Sequence, residues 1–164
     1  MKLLKGLLVV SLLFALGACS SKFRTYNGPE VTRVIVYKGE RQMVLMHNDR
    51  VLAKHAIDLG FAPRGHKNFE GDGKTPEGRY YIDRRNPDSS FHLSIGISYP
   101  NEADIARARE AGKKPGGDIF IHGQPNLLKP GKPDWTAGCI SVSNKEMERI
   151  YAMVKDGTVV DLYP

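Results

Sequence analysis

The chain has 164 residues, of which 41% are hydrophobic and 26% are charged, and its formal net charge at pH 7 is +6. This length and composition fit one globular domain with an ordinary core. Lysines and arginines are dispersed along the chain without interleaved aromatic residues, and no nucleic-acid-binding motif is present, so we expect no nucleic-acid partner. The modest basic excess favours an anionic surface or polymer instead.

The first residues have the order of a bacterial export signal. Two lysines begin the segment, residues 7–16 are apolar, and Gly17 and Ala18 precede Cys19. The apolar run is shorter than the ~20 residues that a membrane-spanning helix requires. The segment resembles a bacterial lipobox, which implies cleavage before Cys19 and attachment of lipid to its sulfur. Since Ser20 follows Cys19, we expect a periplasmic, lipid-anchored protein of the outer membrane. The alternatives to a lipobox are a plain secretory signal and a short membrane anchor.

This interpretation divides the chain into three parts. Residues 1–18 are predicted to be a lipoprotein signal peptide, residues 19–30 a lipidated tether, and residues 31–164 one catalytic domain. The tether assignment rests on a polar composition that includes glycine and proline. Lipidation of Cys19 would leave Cys139 as a single free thiol in an oxidising compartment, which indicates either catalysis or deep burial.

The hydrophobic pattern predicts a mainly β domain. Alternating and β-branched stretches indicate strands at residues 31–37, 43–47, 51–59, 79–83, 91–97, 119–121, 140–142 and 159–163. The first three should form an antiparallel meander because short turns join them. Helices are expected at 102–111, with Asn101 as the N-cap, and at 144–154, after a capping box formed by Ser143 and Glu146. We therefore predict one closed or sandwiched sheet of about seven to ten short strands with two helices.

A long loop at residues 60–78 is dense in glycine and proline and too polar to be buried. Its basic side chains Arg64, His66 and Lys67 are candidates for binding a substrate carboxylate. The alternative is a solvated basic loop, because lysine and arginine are mostly exposed in proteins.

One histidine and one cysteine suggest chemistry. His122 ends an apolar run, and Cys139 follows 139 − 122 = 17 residues later, after a loop that can bring the two ends together. An imidazole beside a thiol can take its proton and so produce a nucleophilic thiolate. The alternative is a structural cysteine beside a strand histidine.

The motifs around these residues resemble those of the L,D-transpeptidase catalytic domain family, also called YkuD. The residues that carry the resemblance are His-Gly at 122–123, Thr-x-Gly-Cys-Ile at 136–140 with a following asparagine, and a Thr-Pro-x-Gly turn at 75–78. The resemblance extends from about residue 31 to the C-terminus. It implies a single β-sandwich or β-barrel domain with two helices, and it implies neither a cofactor nor a metal.

The family resemblance also implies roles for individual residues. Cys139 would be the nucleophile, His122 the proton donor and acceptor, and the carbonyl of Gly123 the group that orients His122. Backbone amides near Gly138 and Cys139 are the expected donors to an oxyanion. The residues whose motif positions shape the cleft are Trp135, Thr136 and Asn144.

The sequence departs from the commonest family pattern at two positions near the cysteine. Ala137 stands where a histidine often precedes Gly-Cys, and Ser141 stands where an arginine often follows Cys-Ile. Loss of that arginine removes a bidentate carboxylate-binding group. A branch of the family with Trp-Thr-x-Gly-Cys-Ile and a small next residue is more similar, and it includes an enzyme that resembles a hydrolase, so the acyl acceptor could be water.

These patterns predict a peptidoglycan-modifying cysteine enzyme. It would act on peptide bonds at diaminopimelate through a thioester on Cys139, with an amine or water as the acceptor, and we expect cleavage to dominate over formation of a new cross-link. The expected partners are peptidoglycan stem peptides, a lipoprotein linked to peptidoglycan, and the membrane through the lipid anchor. The alternatives are a noncatalytic peptidoglycan-binding envelope lipoprotein and a structural lipoprotein with a buried thiol.

Overall fold

The computed structural model describes residues 21–127 and 130–164. They form eight strands and two helices: β1 (Arg33–Tyr37), β2 (Gln42–His47), β3 (Arg50–Ala56), β4 (Gly78–Asn86), β5 (Ser94–Ile97), α1 (Glu102–Glu110), β6 (Phe120–His122), β7 (Ile140–Ser141), α2 (Asn144–Met153) and β8 (Val159–Tyr163). The predicted signal peptide and Cys19 lie outside the described residues. Within the described ranges, no helix is long and apolar enough to cross a membrane.

All eight strands belong to one sheet in the order β3-β2-β1-β8-β4-β5-β6-β7. The first three form the predicted antiparallel meander. The C-terminal strand β8 lies in the middle of the sheet, parallel to β1 and antiparallel to β4. The mainly β class, with two helices, is therefore confirmed.

The sheet curls until its two edges meet. Just after the edge strand β3, Asp58 makes an isolated bridge to Ser141 of the opposite edge strand β7, and Gly60 makes a second bridge to Thr136. Closure of this kind removes exposed strand edges. It also brings the beginning of the long loop at 60–78 against the residues that precede Cys139.

The core consists of alternate strand residues together with one face of α2. Its fully buried members come from most of the strands and from that helix: Val34, Val36, Met43, Leu45, Ile82, Ile95, Ile97, Ile121, Ile140, Met147, Ile150 and Val160. A capping box joins Ser143 to Glu146 at the start of α2, as the sequence predicts. The helix therefore fixes the position of the segment that leads out of β7.

Two strand boundaries differ from the sequence prediction in ways that shape the site. The strand predicted at 91–97 begins only at Ser94, because His92 adopts a left-handed backbone conformation with φ 73° and breaks the extended run. The strand predicted at 79–83 continues to Asn86. The connection between β4 and β5 is therefore a loop at 87–93, and it forms one wall of the cleft described below.

Candidate active site

The register of three adjacent strands sets one row of the site. Asn86 of β4 pairs with Ser94 of β5, and Ser94 pairs with His122 of β6. His122 in turn pairs with Ser141 of β7. Partners on neighbouring strands share a face of the sheet, so pairing alone places these four side chains side by side.

A second row lies two residues away from the first on each strand. Arg84 pairs with Gly96, and Gly96 pairs with Phe120. Cys139 precedes β7 at the end of this row, and its sulfur accepts a hydrogen bond of 3.4 Å from the Phe120 amide. The thiol donates to the carbonyl of Asp118, also at 3.4 Å. The sheet therefore brings Cys139 and His122 to the same face, although 17 residues separate them in sequence.

The imidazole of His122 is held in one orientation. Its Nδ1–H donates to the carbonyl of Gly123 over 2.7 Å, which leaves Nε2 unprotonated and able to accept a proton. The same carbonyl lies 3.5 Å from the Ser141 hydroxyl, which can donate to it. The structure thus places Gly123 beside His122 in the orienting position that the family resemblance implies.

Burial opposes charge on both reacting groups. It lowers the pKa of His122 below the ordinary value of 6.5, although the hydrogen bond to Gly123 raises it in part. Burial also raises the pKa of Cys139 above 9.0, against the smaller lowering effects of the Phe120 amide and of the nearby Lys67 and Arg84 charges. At neutral pH the resting pair is therefore a neutral thiol and a neutral imidazole. This differs from the preformed thiolate that the sequence suggested.

Aromatic rings surround the imidazole. The ring of Phe91 lies 4.5 Å from that of His122, and the ring of Trp135 lies 5.6 Å from it in an edge-on arrangement, measured between ring centroids. The loop at 87–93 supplies Phe91, whereas Trp135 comes from the segment before Cys139. Both rings exclude water from His122, which is the physical cause of its desolvation.

The turn that carries Cys139 is held by Thr136. The Thr136 hydroxyl accepts from the Gly138 amide at 3.1 Å and donates to the Cys139 carbonyl at 2.8 Å. Gly138 has φ +137°, and a Cβ there would lie 2.7 Å from the Lys74 carbonyl, so only glycine fits. Because the Gly138 amide is already bonded, it is not free to bind an oxyanion. The Cys139 amide has no acceptor within residues 21–127 and 130–164.

Asn144 fixes the chain that follows His122. Its side-chain oxygen accepts from the Gln124 amide at 2.7 Å. The Gln124 side chain donates to the hydroxyl of Ser141 at 3.0 Å and to the Val142 carbonyl at 2.9 Å. Ser141, the residue after Cys-Ile, is buried. It therefore places no charged side chain in the cleft.

The basic residues of the long loop have three different environments. Lys67 is buried, and its ammonium donates to the Asp72 carboxylate at 2.9 Å and to the Phe69 carbonyl at 3.1 Å. His66 contacts the Asp104 carboxylate at 3.0 Å. Arg64 is exposed. In this conformation Lys67 and His66 brace the loop, and of the three only Arg64 projects freely into solvent.

Cys139 and His122 line a cleft of about 300 Å³. Its walls come from the loop at 87–93, the two rows of strand residues and Asp118: Asn86, Ser89, Ser90, Phe91, Ser94, Asp118 and Phe120.

A larger groove of about 920 Å³ lies between the loop at 124–133 and the start of α2, and it contains neither Cys139 nor His122. Among the described residues, no group of three or more His, Cys, Asp and Glu side chains could hold a metal ion.

The segment predicted to be a tether is docked onto this cleft wall. The Lys22 ammonium donates to the carbonyls of Pro87 at 2.6 Å and His92 at 3.2 Å, which lie near the two ends of the loop at 87–93. Arg24 forms an ion pair of 2.6 Å with Glu148 of α2. Glu148 also lies 3.1 Å from the His92 ring. Residues 22–24 therefore brace the loop that supplies Phe91.

Sequence reasoning missed several residues in and beside the cleft. The sequence predicts Phe91 as the first residue of a strand, and the left-handed conformation of His92 has no signal in the sequence. Asp118 and Arg84 belong to no motif, and strand register alone brings Arg84 to the row of Phe120. A weak signal was present at Gly96, since glycine inside a strand often marks the close approach of another group.

Comparison with known proteins agrees with this geometry. The model of the YkuD family, the L,D-transpeptidase catalytic domain, matches residues 31–162. A curated relative, the putative L,D-transpeptidase YafK of Escherichia coli K12, is 30% identical over 109 residues, which cover 61% of this chain and 39% of that protein.

Solved structures show the same fold. Pgp2 of Campylobacter jejuni, described as a helical cell shape determining protein, aligns with a TM-score of 0.64 and 26% identity over 88% of this chain and 51% of that chain. Bd1075 of Bdellovibrio bacteriovorus aligns with a TM-score of 0.57 and 22% identity over 86% of this chain and 50% of that chain. The chain thus spans about half the length of these structures and less of the curated relative.

Proposed function

Because the chain belongs to the L,D-transpeptidase catalytic domain family, we propose that it is a peptidoglycan-modifying cysteine enzyme that acts on peptide bonds at diaminopimelate. The observation that carries this proposal is that an oriented His122 imidazole and the Cys139 thiol line the same cleft. The comparisons support the family, and the named reaction is our inference from the site.

The first half of the proposed reaction forms a thioester. His122 Nε2 takes the thiol proton as the Cys139 sulfur attacks the scissile carbonyl, so no free thiolate is needed at rest. The Cys139 amide is the available donor to the oxyanion of the tetrahedral intermediate. The intermediate collapses by breaking the C–N bond, and the imidazolium gives its proton to the departing amine. The products are an acyl group on the Cys139 sulfur and a free amine.

The second half reverses these proton movements. His122 takes a proton from the acceptor as the acceptor attacks the thioester, and the leaving sulfur regains a proton. An amine acceptor gives a new cross-link, and water gives cleavage. We propose that water dominates, because the neighbourhood of Cys139 offers an exposed Ala137 and a buried Ser141 where the family often has two basic side chains.

The nucleophile is tested by acylation of the full chain with a carbapenem, an acyl donor that does not require the natural peptide. Mass spectrometry should show one added drug molecule on the wild type and none on Cys139→Ala. His122→Ala should slow acylation by about 10²- to 10⁴-fold, the usual contribution of a general base. A wild-type mass that stays unchanged would refute an active thiol.

The acceptor is tested with peptidoglycan fragments. Purified protein is incubated with fragments that do or do not carry an attached lipoprotein peptide, and the products are weighed. Released peptide supports cleavage. Accumulation of dimers joined between two diaminopimelate residues, without released peptide, would replace the hydrolase proposal with plain transpeptidation.

A noncatalytic peptidoglycan-binding protein remains the second candidate. It is favoured by the raised pKa of Cys139, because a buried neutral thiol also fits a fold that has lost turnover. The two candidates predict different results with the same reagents. The noncatalytic protein binds stem peptides but is not acylated, whereas the enzyme is acylated at Cys139 alone.

We also propose that Cys19 carries lipid and anchors the protein at the outer membrane. The proposal rests on the basic, apolar and small-residue order before Cys19. Cys19→Ser should abolish incorporation of labelled fatty acid and release the domain from membranes. Incorporation of label into the mutant would show that the lipobox interpretation is wrong.

A further inference from the structure

An exposed acid and an arginine lie together at the edge of the catalytic cleft. Asp118 lines the cleft, and its carboxylate accepts a hydrogen bond from Arg84 over 3.2 Å. The side chain of Asp118 is 91% exposed, and that of Arg84 is 37% exposed. Asp118 therefore presents a negative charge to a molecule in the cleft, and the positive charge of Arg84 lies beside it, outside the lining residues.

The position of Arg84 follows from the sheet. Gly96 separates Arg84 from Phe120 in the cross-strand row, and a Cβ on Gly96 would lie 2.6 Å from Arg84 Cγ. The absence of that Cβ lets Arg84 cross the neighbouring strand. Its guanidinium then lies over the ring of Phe120, 4.5 Å from the centroid. The amide of Phe120 bonds the nucleophilic sulfur, so the positive charge is placed close to Cys139.

The position of Asp118 is equally constrained. Its backbone is left-handed, with φ 53°, a conformation that aspartate and asparagine tolerate better than most residues. Its carbonyl accepts from the Cys139 thiol. The backbone of Asp118 therefore contacts the Cys139 sulfur directly. Among the nine residues that line the cleft, it is the one acid, and none is a lysine or arginine.

We propose that Asp118 and Arg84 recognise the zwitterionic head group of diaminopimelate, with the substrate ammonium bound by Asp118 and the substrate carboxylate by Arg84. This inference rests on the proposed function and names the specificity of the same site. Diaminopimelate incorporated through one end keeps a free ammonium and a free carboxylate on a single carbon at the other end. An ion pair is complementary to such a group, because each charge of the pair meets its opposite.

The pair also replaces a missing cation. Ser141 stands where family members often have an arginine, and it is buried under Gln124. Lys67 is engaged by Asp72. Arg84 therefore supplies the planar, bidentate carboxylate binder from a different strand. The Arg84 guanidinium also donates to both carboxylate oxygens of Asp83, each at 2.9 Å. These contacts keep the guanidinium oriented when the Asp118 carboxylate binds the substrate ammonium.

Four stem peptides that differ only at the scissile residue test the inference. The residue is diaminopimelate, lysine, 2-aminopimelate or norleucine, so the head group has both charges, the ammonium alone, the carboxylate alone, or neither. With the full chain, kcat/KM should fall about 10- to 100-fold for each charge removed. Asp118→Asn should abolish the preference for the ammonium, and Arg84→Met should abolish the preference for the carboxylate.

Asp49→Asn is the matched control, because it removes an exposed carboxylate that neither lines the cleft nor bonds Arg84 among the described residues. It should keep both preferences. If kcat/KM falls equally for all four peptides in Asp118→Asn and Arg84→Met, the pair only supports the turn that carries Cys139. If both variants keep the wild-type preference for the ammonium and the carboxylate, the inference is wrong.

A binding measurement separates this inference from the proposed reaction. Calorimetric titration of the wild type, Asp118→Asn and Arg84→Met with the four peptides gives the same comparison without turnover. If the protein is inactive but still binds the diaminopimelate peptide more tightly, and loses this preference in Asp118→Asn and Arg84→Met, then only the proposed reaction is wrong. If it binds all four peptides equally, then head-group recognition is wrong.

Discussion

The Thr136 hydroxyl donates a hydrogen bond of 2.8 Å to the carbonyl of Cys139 and accepts one from the amide of Gly138. One buried side chain therefore closes the turn that carries Cys139. The Gly138 N–H is occupied by this contact. In the proposed mechanism, oxyanion binding by the Cys139 amide therefore depends on the turn that Thr136 holds.

Replacing Thr136 tests this dependence. Thr136→Val keeps the shape but leaves the buried Gly138 amide and the partly buried Cys139 carbonyl without the Thr136 hydroxyl, which should lower the free energy of unfolding by about 1–3 kcal/mol. Carbapenem acylation of Cys139 should slow by about tenfold or more because the turn is no longer held. Thr136→Ser retains the hydroxyl and should keep most of the stability and most of the acylation rate. If urea unfolding and acylation of Thr136→Val match the wild type, the hydrogen bonds are unimportant.

Gly138 is predicted to be irreplaceable. Its φ of +137° is rare for residues with a side chain, and a Cβ would meet the Lys74 carbonyl at 2.7 Å. Gly138→Ala should therefore cost about 1–3 kcal/mol for the backbone conformation alone and prevent normal acylation. Gly117→Ala is the control, because a Cβ there has no heavy atom within 4 Å among the described residues. It should change stability by less than about 0.5 kcal/mol in urea titrations.

The neutral resting pair predicts a particular pH dependence. The pKa of Cys139 is raised above 9.0, so alkylation by iodoacetamide should be slow at pH 7 and should rise with an apparent pKa above that value. The pKa of His122 is lowered below 6.5, so its base form persists as pH falls to 6.5, and carbapenem acylation should decline only below that pH.

Both profiles can be measured as rates of alkylation and of acylation between pH 4 and pH 10, by stopped flow or mass spectrometry. At each pH a separate measurement confirms that the protein is folded. The urea-denatured chain provides the reference alkylation profile for an unburied thiol. Fast alkylation at pH 6 with an apparent pKa well below 9.0 would indicate a preformed thiolate and imidazolium pair instead.

The contacts of Lys22 and Arg24 predict that the N-terminal segment stiffens the cleft wall. The double variant Lys22→Ala, Arg24→Ala should increase hydrogen exchange in the loop at 87–93 several-fold, because the carbonyls of Pro87 and His92 lose their shared donor. Global stability should change little, since exposed ion pairs contribute about 0–1 kcal/mol.

The matched control is Lys145→Ala, Arg149→Ala, which removes the same charges from exposed positions of α2. In this control variant, hydrogen exchange in the loop at 87–93 should match that of the wild type. Equal exchange in both double variants would mean that residues 22–24 rest on the domain without restraining the loop.

Much of the fold could be predicted from local sequence patterns. Alternation of apolar residues and turn signals located the meander β1–β3 and the last strand β8, and capping residues located both helices. These features depend on neighbours in the chain, for which side-chain period and capping chemistry are sufficient. The loop around His92 was missed because its left-handed conformation depends on contacts from distant segments, including Glu148.

Sequence determined which groups are available for chemistry in this protein, and tertiary structure decided how they act. The motifs named Cys139, His122 and Gly123, because residue type and order along one segment are visible in the chain itself. Whether the thiol is charged, which amide is free and which cation lies beside the cleft depended on burial and on strand register. Those properties arise from segments far apart in sequence: Arg84 reaches Phe120 across Gly96, and Lys22 reaches His92. Only the folded sheet brings such groups within a few ångströms, where desolvation and Coulomb energy become large.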